Sequence, residues 1–320
     1  MKNSDLSKSD CQDNINDAFP LFIRPRKNDD NPIRIINDRD TVLKKLNQCG
    51  AIVFKGFPIS DGHEFNNFVT TLQLINFSYE KSLSNALRLT RGPRVFTANE
   101  APSTVEIYLH HELAQTPSYP AYLFLFCEQA AWSGGETPLC RSDILLKKLH
   151  YQMQKFIDKC RALGARYTLI MPGDYDSSSG QGRSWRQTLS AETKEAAEVR
   201  LSHLGYRWFW LPDDSIKVIS PSLPLIRRAP SGQEVFFNQL IAAFNGWKNQ
   251  RGIGNNPVTF GDGSEISEDD LSLVTAYGYE DAVDFSWENG DIIMINNYLV
   301  MHGRRSFEGK RTVLASLAKS

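Results

Sequence analysis

Apolar residues recur at spacings of three and four over Asp40–Gln48 and again over His63–Leu74, which predicts two helices. Between them the run Gly50-Ala-Ile-Val-Phe-Lys-Gly-Phe57, stopped by Pro58, predicts a buried strand. Up to this point the chain reads as α/β; afterwards the pattern changes. Val105–His110 and Ala121–Cys127 read as short strands, the second almost wholly apolar and therefore buried, and the link between them holds Pro117 and Pro120. Trp132–Pro138 is turn-rich, and Ser142–Ala162 predicts a helix with Asp143 in its first turn. Residues 172–184 form a polar, glycine-rich stretch of a length that suits a lid or flap. Further strands are expected over Tyr206–Leu211, Ile216–Ile219, Glu234–Phe237, Ile292–Ile295 and Thr312–Leu317. Many short strands framed by helices, with no repeat, predict a mainly β protein with flanking helices on a sandwich or jelly-roll core. Residues 1–17, rich in Asp, Asn, Ser and Lys, are expected to form a loose arm, and residues 18–320 a single domain.

Composition narrows the function classes. A net charge of −1 leaves no basic footprint for nucleic acid or an anionic membrane. Five widely spaced cysteines without a Cys-x-x-Cys pair argue against a disulfide framework and a structural zinc site. The first residues are polar, with no apolar core of a secretory signal, and no run approaches the ~18 residues of a membrane span. A cytoplasmic setting is the resulting expectation.

Only six histidines are present. His63 and His150 fall in helical stretches and His203 follows a charged helix, so each reads as a surface residue. His110 and Glu112 lie two apart at a strand end, and on an extended chain both would face one side while His111 faced the other. Such a His-x-Glu pair arises by chance about once in a chain of this kind, and alone it carries little. The tail adds weight. A Gly-Asp turn at Gly290 leads into the apolar run Ile292–Ile295, His302 emerges just after it, and Arg311 falls on the next strand. Two imidazoles and one carboxylate make the facial set that suits Fe(II) with positions left open. A planar guanidinium suits a carboxylate of a keto acid.

These segments resemble the taurine dioxygenase/clavaminate synthase-like family of Fe(II)/2-oxoglutarate oxygenases. The likeness runs from the strand at 50–57 to the chain end. Its most specific motifs are His-His-Glu-Leu-Ala-Gln at 110–115, Phe-Cys-Glu at 126–128, Gly-Gly-Glu-Thr-Pro-Leu at 134–139, Gly-Arg-Ser-Trp-Arg-Gln-Thr at 182–188, Phe-Phe-Asn-Gln at 236–239 and His-Gly-Arg-Arg-Ser-Phe at 302–307. The resemblance implies a double-stranded β-helix core, with His110, Glu112 and His302 as metal ligands. It also implies that Thr137 and Arg311 grip the carboxylates of 2-oxoglutarate, with O2 as second cosubstrate. A halogenating relative would need a small residue at Glu112. In the taurine enzyme a second Arg, four residues past the cosubstrate Arg, holds the sulfonate; here that position is Ala315.

The implied activity is hydroxylation of an unactivated C–H bond in a small amino-acid-like substrate, free or tethered to a carrier protein. The alternatives are a non-catalytic metal- or ligand-binding β-helix protein, or the same chemistry on a protein side chain or a xenobiotic. Other residues stay open at this level. Arg183 and Trp185 adjoin the polar loop, and Asn238 and Gln239 either face substrate or cap the helix that follows. Arg304 and Arg305 line the cosubstrate site or pair at the surface. Trp208, Phe209 and Trp210 read as packing, and Glu128 as solvated or a partner of the site.

Overall fold

The computed structural model describes residues 19–25, 31–176, 181–247 and 257–320. The expected N-terminal arm lies outside them, as do residues 177–180 of the polar loop. Two sheets face each other. The larger has six strands in the order Leu21–Ile23, Ala51–Phe54, Ile292–Asn296, Tyr122–Gln129, Thr312–Ala318, Phe96–Thr97. The smaller has four, in the order Val283–Phe285, Thr137–Arg141, Val300–Arg304, Ile107–His110. The expected jelly-roll core with flanking helices is what the chain adopts.

The apolar runs follow from burial on both faces. Along Tyr122–Gln129, Tyr122, Phe124 and Phe126 pack outward under the helices Arg39–Cys49 and Gly62–Thr71, while Leu123, Leu125 and Cys127 face the smaller sheet. Ile292–Asn296 alternates likewise, with Ile292 and Met294 outward and Ile293 and Ile295 inward. A strand covered on both sides has no polar face to display, so its sequence shows no alternation.

A third cluster belongs to the helical side. It lies among the helices Ser142–Gln152, Gln154–Leu163 and Glu268–Glu280 and a separate four-stranded sheet, Val258–Phe260, Ala165–Met171, Ile216–Ile219, Arg207–Trp210. The single helix expected over 142–162 is therefore two, interrupted at Met153 with φ −136° and ψ 45°. Leu145, Leu146 and Leu149 before the break and Phe156, Ile157 and Cys160 after it keep the same apolar period. The apolar pattern runs through the interruption, so periodicity alone does not mark it. Other expected strands are shorter than read, such as Ala51–Phe54 and Ile107–His110.

Cys49, Cys127, Cys140 and Cys160 are buried and free. Among the described residues no helix is long and apolar enough to cross a membrane.

Candidate metal centre

His110 ends the strand Ile107–His110, and its cross-strand partner is His302 on Val300–Arg304. The rings stand 4.4 Å apart, centroid to centroid. Gly303 permits this approach: a Cβ there would lie 2.5 Å from the Ile107 carbonyl oxygen. The register shift between His302 and Arg304 falls at the same place.

Glu112 reaches the pair differently from the expected strand geometry. The strand ends at His110 and the chain turns, so Glu112 is no strand residue; the next residue, Leu113, adopts φ +61°. A left-handed leucine costs about 1 kcal/mol and persists only where its surroundings hold it. Asn297 does this holding. Its Oδ1 accepts from the Glu112 amide at 2.7 Å, and its Nδ2 donates to the carbonyls of Glu112 at 3.0 Å and Pro120 at 2.8 Å. His111 turns away, as expected, and is fully buried. Its Nδ1 accepts from the Asn238 amide at 3.2 Å, so Nε2 carries the proton and donates to the Ser142 hydroxyl at 3.0 Å.

One potential ligand atom each from His110, Glu112 and His302 lies within 4.8 Å of the others. Their protonation suits a cation. The His110 Nδ1–H donates to the Tyr108 carbonyl at 2.8 Å, leaving the Nε2 lone pair free. Burial lowers the pKa of His110, and that of His302 well below the usual value, so both rings are neutral. His302 Nδ1 is buried without a partner. It is the His302 Nε2 that faces Glu112, 3.7 Å from its Oε2, and two neutral imidazoles with a carboxylate so placed fit a divalent metal.

The three line a cavity of about 900 Å³ including its open mouth, and Thr137 and Arg311 line it too. The indole Nε1 of Trp287 donates to the Thr137 hydroxyl at 2.9 Å. That bond takes up a lone pair and leaves the hydroxyl proton to donate into the cavity. Arg311 crosses Gly135, donating from Nε to its carbonyl at 3.2 Å; a Cβ on Gly135 would come 3.0 Å from the arginine stem. Burial, with Arg304 nearby, pushes the Arg311 pKa down to about 10. Glu136 acts on it from a distance, and among the described residues no ion pair neutralises it directly, which suits a carboxylate partner.

A family model, the taurine catabolism dioxygenase TauD/TfdA family, matches residues 28–317. The chain belongs to this TauD/TfdA family. It is 34% identical over 275 residues to a clavaminate synthase-like protein of Arabidopsis thaliana, covering 86% of this chain and 83% of the relative. It is 26% identical over 283 residues to the dapdiamide synthesis protein DdaC of Enterobacter agglomerans, covering 85% and 83%. Solved structures of similar fold include PvcB of Pseudomonas aeruginosa, with TM-score 0.54, 11% identity and coverage of 93% and 84%. The AAD-2 complex with Mn(II) and N-oxalylglycine is another, with TM-score 0.51, 12% identity and coverage of 94% of both chains. This TauD/TfdA member is an Fe(II)- and 2-oxoglutarate-dependent oxygenase.

The remaining expected positions divide. Gln239 lines the cavity, with its Nε2 on the His111 carbonyl at 3.2 Å. Asn238 is fully buried and closes a local turn, donating to Phe236 O and accepting from the Leu240 amide. Trp185 is fully buried, with its indole on Asp214 O at 3.1 Å. Arg183 donates to the carbonyls of Tyr79, Glu80, Ser82, Ser84 and Gln187, so it pins the segment 79–84 against the loop. Arg183, Trp185 and Asn238 are not among the described residues that line the cavity; each is engaged in the packing or backbone bonds just given. Arg304 lines it but donates to four backbone carbonyls, those of Asn99, Ala101, Pro102 and Val105. Arg305 pairs outside it with Glu106 and Asp284.

Arg88, Asn297 and Trp287 escaped the sequence reading. Asn297 and Trp287 lie within a few residues of recognised motifs, but only tertiary contact reveals their partners. Trp287→Phe keeps the ring and deletes the bond to Thr137; a tenfold or so rise in the 2-oxoglutarate Kd is expected, with little change in stability. An unchanged Kd by calorimetry would show that Thr137 needs no such orientation.

A pH effect also follows. Burial pushes the His111 pKa down to about 3, against ~6.5 when unfolded. Between these values the unfolded chain binds a proton that folded His111 refuses, so stability is full above pH ~6.5 and falls with acidification. The slope is about 1.4 kcal/mol per pH unit for this group. Urea midpoints of metal-free protein should drop from pH 7 to pH 5, less so in His111→Gln; equal midpoints would contradict the buried neutral ring.

Proposed function

We propose that His110, Glu112 and His302 hold Fe(II) and that Thr137 and Arg311 bind the two carboxylate ends of 2-oxoglutarate. The reaction is hydroxylation of an unactivated C–H bond in a small amino-acid-like substrate, free or carrier-tethered. One observation carries this reading: the three metal donors and the two carboxylate-binding groups, drawn from distant chain segments, line a single cavity.

Fe(II) held there would supply open coordination positions for 2-oxoglutarate and O2 and the redox chemistry of the oxidation. The protein's share is placement. The cross-strand pair fixes the two imidazoles, and Asn297 fixes the backbone of Glu112. Trp287 aims the Thr137 proton, and Gly135 gives the Arg311 stem its passage. Leu123, Leu125, Val313 and Ala315 form an apolar wall that keeps water from the reacting centre. Ala315 stands where the taurine enzyme's sulfonate-binding Arg would fall, so a sulfonate is not held in that way. The similarity to DdaC supports an amino-acid-derived substrate in specialised metabolism.

The test is succinate release by iron-loaded protein across free amino acids, their carrier-bound thioesters, taurine and simple xenobiotic acids. Stimulation by an amino-acid compound, with a product 16 mass units heavier, supports the reading. Stimulation by taurine or the xenobiotic acids alone contradicts the substrate class.

A further inference from the structure

The cavity carries more positive charge than the cosubstrate neutralises. Among the described residues its lining includes three guanidinium groups, Arg88, Arg304 and Arg311, against one carboxylate, Glu112. A divalent metal adds to the excess, and a doubly charged 2-oxoglutarate removes only part of it. Arg304 is tied to backbone carbonyls and Arg311 is assigned to the cosubstrate. Arg88 remains.

The Arg88 side chain is only 8% exposed. Its guanidinium lies 4.5 Å from the Tyr79 ring centroid and 5.3 Å from that of Phe96, which fixes its plane. It donates from Nη2 alone to both Glu112 oxygens, at 2.9 and 3.0 Å, and its Nε is buried without a partner. Three residues beyond Glu112, Gln115 lines the same cavity at 5% exposure, and its Oε1 is likewise buried and unpartnered. Burying an unsatisfied donor and an unsatisfied acceptor is costly, and a ligand that pairs with both would recover that cost. The two needs are complementary: the Arg88 Nε–H, left over from the pair with Glu112, asks for an acceptor, and the Gln115 amide oxygen asks for an N–H.

Building on the oxygenase reading, we propose that Arg88 and Gln115 form the substrate subsite, with Arg88 binding a free carboxylate and Gln115 accepting from the neighbouring ammonium or amide N–H. The substrate is then an α-amino acid or a derivative with its carboxylate free, and a carrier thioester, which has consumed that carboxylate, is excluded. Arg88 also borders a smaller cavity with Glu80 and Arg94, but the carboxylate it engages, Glu112, belongs to the iron side.

The experiment uses wild-type protein loaded anaerobically with Fe(II) and 2-oxoglutarate. The visible chelate band reports the binding of free L-amino acids, their methyl esters and the matching deaminated acids. The free acids should bind at least tenfold more tightly than the esters. Arg88→Lys should weaken the acids about 10–100-fold while barely changing the esters. Gln115→Leu should weaken the amino acids but not the deaminated acids. Each variant is first titrated with Fe(II) and 2-oxoglutarate, so damage to the metal site is read separately. Equal binding of acids and esters, or a loaded wild-type protein that responds to no acid, overturns the subsite. A wild-type protein that forms no chelate band would instead defeat the oxygenase reading on which it rests.

Discussion

Replacing Arg311 with methionine is expected to raise the Kd for 2-oxoglutarate about 10²–10³-fold and, unlike most losses of function, to make the cosubstrate-free protein more stable. Both effects come from one fact: the guanidinium is largely desolvated with no direct ion-pair partner among the described residues, and burial outweighs the pull of Glu136 to push its pKa down to about 10. Among the described residues its hydrogen bond runs from Nε to Gly135 O, and the Phe307 ring lies 5.7 Å away. The desolvation cost falls on the free protein and is offset when a carboxylate arrives. Truncating one partner of such a buried charge pair costs about 3–4 kcal/mol of binding, which sets the fold-change. Methionine fills the channel over Gly135 without a charge, so an apo-state gain on the order of 1 kcal/mol is expected. Calorimetry with Mn(II) as a redox-silent metal gives the affinity, and urea unfolding gives the stability. A Kd within threefold of wild type would remove Arg311 from the cosubstrate site.

Glu112→Ala should lose iron and, separately, about 3–5 kcal/mol of stability. The carboxylate has two tasks: it completes the donor set, and it neutralises Arg88. Burial alone would lower the Arg88 pKa, yet Glu112 and Tyr79 carry it above the usual arginine value. With both side chains more than nine-tenths buried, deleting the acid strands a cation in an apolar pocket. The double variant Glu112→Ala/Arg88→Met should regain most of the stability and none of the iron. A single variant within about 1 kcal/mol of wild type would mean that Arg88 finds water or another partner, and the tight ion pair would no longer hold.

Much of the fold was legible because its central strands announce themselves. Ala51–Phe54, Tyr122–Gln129 and Ile292–Asn296 are apolar on both faces, and few structures other than a covered sheet bury such runs. The smaller sheet was harder to read. Thr137–Arg141 begins inside a segment that looked turn-rich, and Val300–Arg304, the strand bearing His302, contains a glycine and two cationic or titratable side chains. Those residues are there for the cavity, and they hide the strand that carries them. The metal donors were legible as residues because the chain has few histidines to choose from. Their geometry was not: period-two alternation suggested that Glu112 shared the strand with His110, whereas a turn held by Asn297 delivers it. Arg88 left no trace in the sequence because it lies 24 residues before its partner in a stretch without a motif. Arg183 and Trp185 drew notice by sitting beside a polar loop, although their side chains serve the backbone and the core.

The central claim is that His110, Glu112 and His302 form one iron site sharing a cavity with a 2-oxoglutarate site. Anaerobic titration of the purified protein with Fe(II) and 2-oxoglutarate, followed at the weak visible charge-transfer band of the chelate, tests it most directly. Wild type should develop the band at one iron per chain, and His302→Ala, which removes one of the paired imidazoles, should not. A wild-type protein that binds iron without the band, or a His302→Ala protein that keeps it, would contradict the account.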